Sequence, residues 1–305
     1  MTSGSGHVDR GAEAQGHHAA SVPSARGVGE ILDTALDVLV ATFGTCLVIA
    51  AACWIPFYVA GEWILDSGIS PSVQLFWALS TRAPEVLTTG FVCSLVGAWI
   101  LGRGVRRTEA LWNGARAAAG VFVIAVLQIV ASAALACLCV GPMVLAFWLF
   151  SVTPTVYVLE RRELVSRLAS GNRGPAGWVA GILLSVGRGF RLVFGLDSFG
   201  RWAGYALVSS IVVLWPLRMV PALAQNGVVQ PFVEAATGLH GHGVGAILAA
   251  VSALFVGIAT AYSAVLGTVY YVDQRVRREG LDLELKLAAR GCPGHFPGSI
   301  DGSRV

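Results

Sequence analysis

Leu36–Val59, LDVLVATFGTCLVIAAACWIPFYV, holds a single charged side chain, Asp37. At about 1.5 Å of rise per helical residue, such a run is long enough to cross the roughly 30 Å hydrocarbon core of a bilayer. Five further stretches have the same character: Pro84–Leu101, Gly120–Leu138, Pro142–Leu159, Ala203–Leu223 and Val244–Val272. The 305-residue chain is 55% hydrophobic and only 13% charged, where an ordinary soluble domain carries about one quarter charged residues. Its mean hydropathy is +0.69. Enclosing six such helices in a water-soluble protein would need far more polar surface than these residues supply. The predicted fold class is therefore all-α: a polytopic transmembrane helical bundle of six spans, with cytoplasmic amphipathic helices.

Outside the spans the composition changes. Residues 1–27 are rich in Gly, Ser, Ala and His without apolar periodicity and read as a disordered cytoplasmic tail, as do residues 286–305. Because a long polar segment precedes the first apolar stretch, the sequence predicts no cleaved signal peptide, and the first span acts as its own targeting signal. Residues 28–285 form the membrane domain, with an amphipathic segment at 160–202.

The basic residues set the threading. Arg103, Arg106, Arg107 and Arg116 follow the second span; Arg161, Arg162, Arg167, Arg173, Arg188, Arg191 and Arg201 follow the fourth; Arg275, Arg277 and Arg278 follow the sixth. The alternate loops carry Glu62, Asp66, Arg82 and Glu85, then Glu234, His240 and His242. Basic residues collect on the cytoplasmic side, so six spans predict an inner (plasma) membrane protein with both termini in the cytoplasm. Lys286 is the sole lysine, and this arginine bias, with abundant Ala, Gly and Val, points to a high-GC bacterial coding sequence.

In Ala176–Gly195, AGWVAGILLSVGRGFRLVFG, the apolar run before Arg188 is about ten residues, too short to cross. The prediction is one or two amphipathic helices lying on the inner leaflet with their arginines reaching lipid phosphates; a seventh span over Trp178–Phe194 is the alternative. Pro56, Pro216 and Pro221 predict kinks in the first and fifth spans. Trp54, Trp63, Trp77, Trp99, Trp112, Trp202 and Trp215 fall near span ends and read as interfacial anchors. Cys137 and Cys139 are too close in sequence for a structural disulfide, and Cys292 with His295 falls short of the four ligands usual for zinc.

At the carboxyl end, Gly267–Leu285 reads GTVYYVDQRVRREGLDLEL. Together with GEILDTALDVL at Gly29–Leu39 and Val158-Leu159-Glu160, it resembles bacterial multi-pass proteins related to the membrane domain of glycerophosphoryl diester phosphodiesterases. The resemblance extends to the membrane part only. The 6 histidines are scattered between tails and one loop, and no segment is long enough for a separate catalytic barrel. The resemblance thus implies a shape and no phosphodiesterase activity.

Two sets of residues stand out. Glu30, Asp33 and Asp37 share one helix side at spacings of three and four. Asp273, Arg275, Arg277, Arg278, Glu279, Asp282 and Glu284 leave the last helix at the same depth. The two sets predict a cytoplasmic ion network joining first and last helices; cation or proton binding by the carboxylates is the alternative. Arg218, inside the fifth apolar stretch, is a costly intramembrane charge. It is a candidate contact for an anionic headgroup or substrate, a partner for Glu85, or a side chain that snorkels to the outer headgroups.

No nucleophile–base pair, metal cluster or nucleotide loop is visible, and no cofactor, metal or nucleic acid is expected. The leading expectation is a non-enzymatic integral membrane protein, an assembly or envelope accessory component. The alternative is a transporter or lipid-handling protein binding an anionic headgroup or small solute. A membrane hydrolase using Glu85 or Asp66 comes third. Membrane lipids are the expected partners. Small residues at Gly44, Ala50–Ala52 and Ala131–Ala136 suit close helix packing, within one chain, in a homo-oligomer or against another membrane protein.

Overall fold

A computed structural model of the chain describes residues 27–66, 70, 80, 82–100, 107–136, 140–168, 175–225, 229–239 and 242–280. The tails expected at 1–27 (but for Gly27) and 286–305, Arg103 and Arg106, Trp77, Cys137 and Cys139, Arg173, His240, Asp282, Glu284 and Cys292 lie outside the described residues. Every regular element among the described residues is helical: α1 Val28–Asp66, α2 Arg82–Ile100, α3 Arg107–Ala136, α4 Val140–Phe150, α5 Thr153–Leu168, α6 Pro175–Val193, α7 Leu196–Ser209, a π-helical turn Ser210–Leu214, α8 Trp215–Gln225, α9 Gln230–Thr237 and α10 His242–Glu279. The chain is an all-helical, multi-pass membrane bundle. Large apolar side chains such as Val40, Val48, Leu207 and Val212 are exposed on its surface, as suits helices solvated by acyl chains on one side and by neighbours on the other.

The longest helices form the spine. α1 and α10 pack antiparallel: Ile31 and Val276 share the core at one end, and Gly245 faces Glu62 at the other. Midway, a Cβ on Gly257 would stand 2.7 Å from the Cβ of Ala50, so the absence of a side chain lets the two backbones approach closely. α2 lies beside this pair, with Val92, Cys93 and Val96 in the same core. A second core gathers Val86, Ala117, Val121, Ile124, Phe150, Tyr157 and Ile182 from α2 to α6.

The number of candidate spans differs from the six predicted. Seven helical segments are long and apolar enough to cross a membrane, the additional one being Ala176–Val193. At 19 residues, α6 is roughly 28 Å long. The prediction ended its apolar run at Arg188 by treating that guanidinium as solvated. Arg188 instead turns inward onto Glu160 and Glu279, and the helix continues to buried Leu192 and Val193. Trp178, Val179 and Leu183 are exposed, so apolar side chains line its outer face. The described part of the 160–202 segment forms the end of α5, α6 and the start of α7, and α6 qualifies as a candidate span by its length and composition.

Prolines act locally. α1 runs through Pro56 as one helix. Ahead of Pro216, which has no N–H to give, the backbone widens into a π turn in which the Trp215 N–H bonds to the Ser210 carbonyl. The predicted fourth span is broken at Ser151–Val152, between α4 and α5. There the Ser151 N–H and hydroxyl both donate to the Trp148 carbonyl, at 3.1 and 2.7 Å, and Pro154 follows without a donor of its own. Trp54 is no interfacial anchor: it is buried and donates its indole N–H to Thr88 Oγ1 at 3.1 Å.

The closest backbone approach tests the packing. A Cβ on Gly114 would stand 2.8 Å from Phe91 Cα and 2.9 Å from the Gly90 carbonyl oxygen, whereas Gly44 has nothing within 4 Å. Gly114→Leu is expected to lower stability in detergent by about 1–3 kcal/mol through separation of α2 and α3. Gly44→Leu is expected to be near neutral. Thermal unfolding of the two variants checks the contrast.

Candidate functional site

The basic end of α10 builds an ion network, but with different partners from those predicted. Glu160, 5% exposed, accepts from the Tyr271 hydroxyl at 2.5 Å and from Arg188 Nε at 3.0 Å. Arg275 Nη1 lies 3.4 Å from the same carboxylate. Glu279 accepts from Arg188 Nη2 at 2.6 Å and from Arg275 Nε at 3.0 Å. Two carboxylates thus face two guanidiniums, and the network ties α5 and α6 to α10. Such a charge-balanced set tolerates burial because every charge has an opposite one and directed hydrogen bonds. Asp273 is paired with Arg277 at 2.9 Å along α10. Arg278 donates to the carbonyls of Arg191 and Phe194 at 3.1 and 2.6 Å. A side chain at Gly195, held at φ 148°, would collide with Arg278 Nη2.

Glu30, Asp33 and Asp37 are exposed, and among the described residues no ion pair links them to α10. Glu30 instead accepts from the Gly27 N–H at 2.8 Å, a local N-terminal contact. The predicted set therefore divides. Arg275 and Glu279 join the α5 and α6 charges, Asp273 pairs with Arg277, Arg278 caps the end of α6, and the α1 carboxylates stay apart. Glu160, Arg188 and Tyr271 were not among the predicted network. The only signal for Arg188 and Glu160 was a charge of each sign at opposite ends of a sequence hairpin, which does not specify a contact.

Away from the basic end, and reaching the middle of α1 and α10, Arg218 and Glu85 are brought to one cavity of about 390 Å³, which Arg82 also lines. That volume falls within the range of small-molecule sites. Glu85 accepts from Arg82 Nη1 at 2.6 Å, so it is the partner of Arg82 and not of Arg218. Arg218 is exposed and has no carboxylate partner among the described residues. Two guanidiniums against one carboxylate leave one positive charge in excess. The first turn of α5 borders the cavity through Pro154 and Thr155, and a helix N-terminus adds partial positive charge. Thr260 and Ser263, on the α10 wall, each donate at 2.9 Å to carbonyls of their own helix; the attraction for an anion comes from the arginines and the α5 end.

Cavity and network share two helices. α5 contributes Pro154 and Thr155 to one and Glu160 to the other, and α10 contributes Val256 to Gly267 and then Tyr271 to Glu279. Between them, Cys93 Sγ lies 3.5 Å from Thr155 Oγ1 and 3.9 Å from the Ala264 carbonyl. The described residues contain no group of three or more His, Cys, Asp or Glu that could hold a metal. Comparison with protein-family models, with curated proteins and with solved structures finds no match. The likeness to the phosphodiesterase membrane domain therefore stands on the quoted residues alone.

Removing one member of the network should cost more than removing an opposed pair. Glu160→Gln is expected to lower stability in detergent by about 3–5 kcal/mol, and Glu160→Gln with Arg275→Gln by less than the sum of the single changes. Asp37→Asn and Arg277→Gln are expected to be additive within about 0.5 kcal/mol. Chemical or thermal unfolding of each double-mutant cycle measures both.

Proposed function

We propose that the chain is a non-enzymatic, anion-handling membrane protein, a transporter or lipid-handling protein that holds an anionic group against Arg218. The observation that carries this reading is the cavity in which Arg218 stands without a carboxylate partner among the described residues while Arg82 and Glu85 satisfy each other. Both irregular backbone segments support it. The α4–α5 break supplies Ser151, Pro154 and Thr155 to the cavity wall, and the π turn lies immediately before Arg218 on the neighbouring segment. Non-helical backbone at membrane depth is tolerated where it is buried in protein or lines a cavity, and broken helices commonly frame transporter sites. An assembly or envelope role, the leading expectation from sequence, has no comparable feature in its favour.

The end carrying Arg188, Arg191, Arg275, Arg277 and Arg278 faces the cytoplasm in this reading, by the positive-inside rule. The Arg218 cavity then opens toward the outer half of the membrane.

Titration of purified protein with inorganic phosphate tests the anion site. Saturable binding is expected, weakened about 10–100-fold by Arg218→Gln, the loss of a charge-assisted hydrogen bond worth about 1.5–3 kcal/mol. Unchanged affinity in that variant would remove the assignment. For orientation, a cysteine placed at position 238 in a cysteine-free background is expected to react with an impermeant thiol reagent in intact cells, and one at 191 only after lysis. The reverse pattern would invert the topology.

A further inference from the structure

We propose that the anion held at Arg218 is carried by a membrane lipid: a glycerophospholipid of net negative charge, entering the cavity sideways past α8. This rests on the anion-binding reading and specifies its ligand. Arg218 both lines the cavity and is exposed on the bundle surface, so the cavity is open beside it. The segment carrying it has the least enclosed apolar window of the seven candidate spans: 11% of the 18-residue window within Leu196–Ala224 is buried, against 22% for the next lowest. On the approach to Arg218, Ile211, Val212 and Trp215 are all more than 60% exposed. A guanidinium next to a broad apolar surface matches an amphiphile, with phosphate oxygens on the arginine and acyl chains along the apolar wall.

Size favours the same ligand. A cavity of about 390 Å³ lies toward the small end of the range for small-molecule sites. That is room for a phosphate-bearing headgroup. It is not room for acyl chains that each cover half of the roughly 30 Å core, so the chains stay outside on the apolar wall. The single excess positive charge of Arg82, Arg218 and Glu85 selects a headgroup of net negative charge over a zwitterionic one.

The protein, incorporated into nanodiscs of equimolar phosphatidylglycerol and phosphatidylcholine, is extracted into detergent, and its retained lipids are counted by native mass spectrometry. Inorganic phosphate affinity is measured on the same preparations. Retention of one phosphatidylglycerol per chain is expected, falling about tenfold in Arg218→Gln and largely kept in Arg218→Lys, which preserves the charge and reports on folding. Phosphate binding that depends on Arg218 without selective phosphatidylglycerol retention overturns the lipid source and leaves the anion site standing. Equal retention in Arg218→Gln reduces the lipid to an annular one and overturns the proposal. Loss of Arg218 dependence for both probes removes the underlying anion reading as well.

Discussion

Inside hydrocarbon there is no water to bond an exposed peptide N–H or C=O, and that constraint governs the whole structure. Every regular element described is a helix because only a helix satisfies its own backbone within one segment. The same constraint explains where regularity fails. The break at Ser151–Val152 borders the Arg218 cavity, and its freed groups are met locally by Ser151 and the Trp148 carbonyl. The π turn at Ser210–Leu214 absorbs the donor that Pro216 lacks. Deviations from the helix are confined to places where the protein itself or a polar cavity receives the exposed groups.

Charge follows the same logic at higher stakes. An unpaired charge in a low-dielectric region is costly, so a buried guanidinium requires a carboxylate within reach. Glu160 and Glu279 meet that requirement for Arg188 and Arg275, and the contact fixes how the α5–α6 pair leans on α10. Arg82 and Glu85 form a more exposed pair at the start of α2. Arg218 follows neither pattern: it is exposed and has no carboxylate partner among the described residues. The four-residue network of Glu160, Arg188, Arg275 and Glu279 is charge-balanced, whereas Arg218 keeps a positive charge at the rim of the cavity.

The network and the cavity are built on the same two helices, α5 and α10. Thr155 and Glu160 are five residues apart on α5, or roughly 7.5 Å of helix. Gly267 and Tyr271 are four apart on α10, or roughly 6 Å. A shift of α5 along its axis would therefore change the cavity wall and strain the Glu160 contacts together. Gly97 and Gly120 bring α2 and α3 close to this helix at Leu159 and Tyr157, so its position is also set by close packing on its other side.

Much of this was legible in the residues. Long apolar runs, their breaks and the arginine clusters determined an all-helical membrane protein, because length and hydrophobicity decide insertion whatever the helices later touch. Arg218 was recognisable for the same reason: a lone charge in an apolar run is conspicuous in one dimension. The number of candidate spans was not legible. Arg188 ends the apolar run of α6 on paper, and only the spatial arrival of Glu160 and Glu279 neutralises it. Nor was the partner of each charge legible. Periodicity placed Asp33 and Asp37 at the depth of Arg277, but it could not show that Asp273, one turn back on the same helix, would take that arginine first. The cavity belongs wholly to the tertiary structure, since its wall is assembled from α1, α2, α5, α8 and α10 and the Ser151 break. Insertion depends on local composition; pairing and enclosure depend on which helices become neighbours.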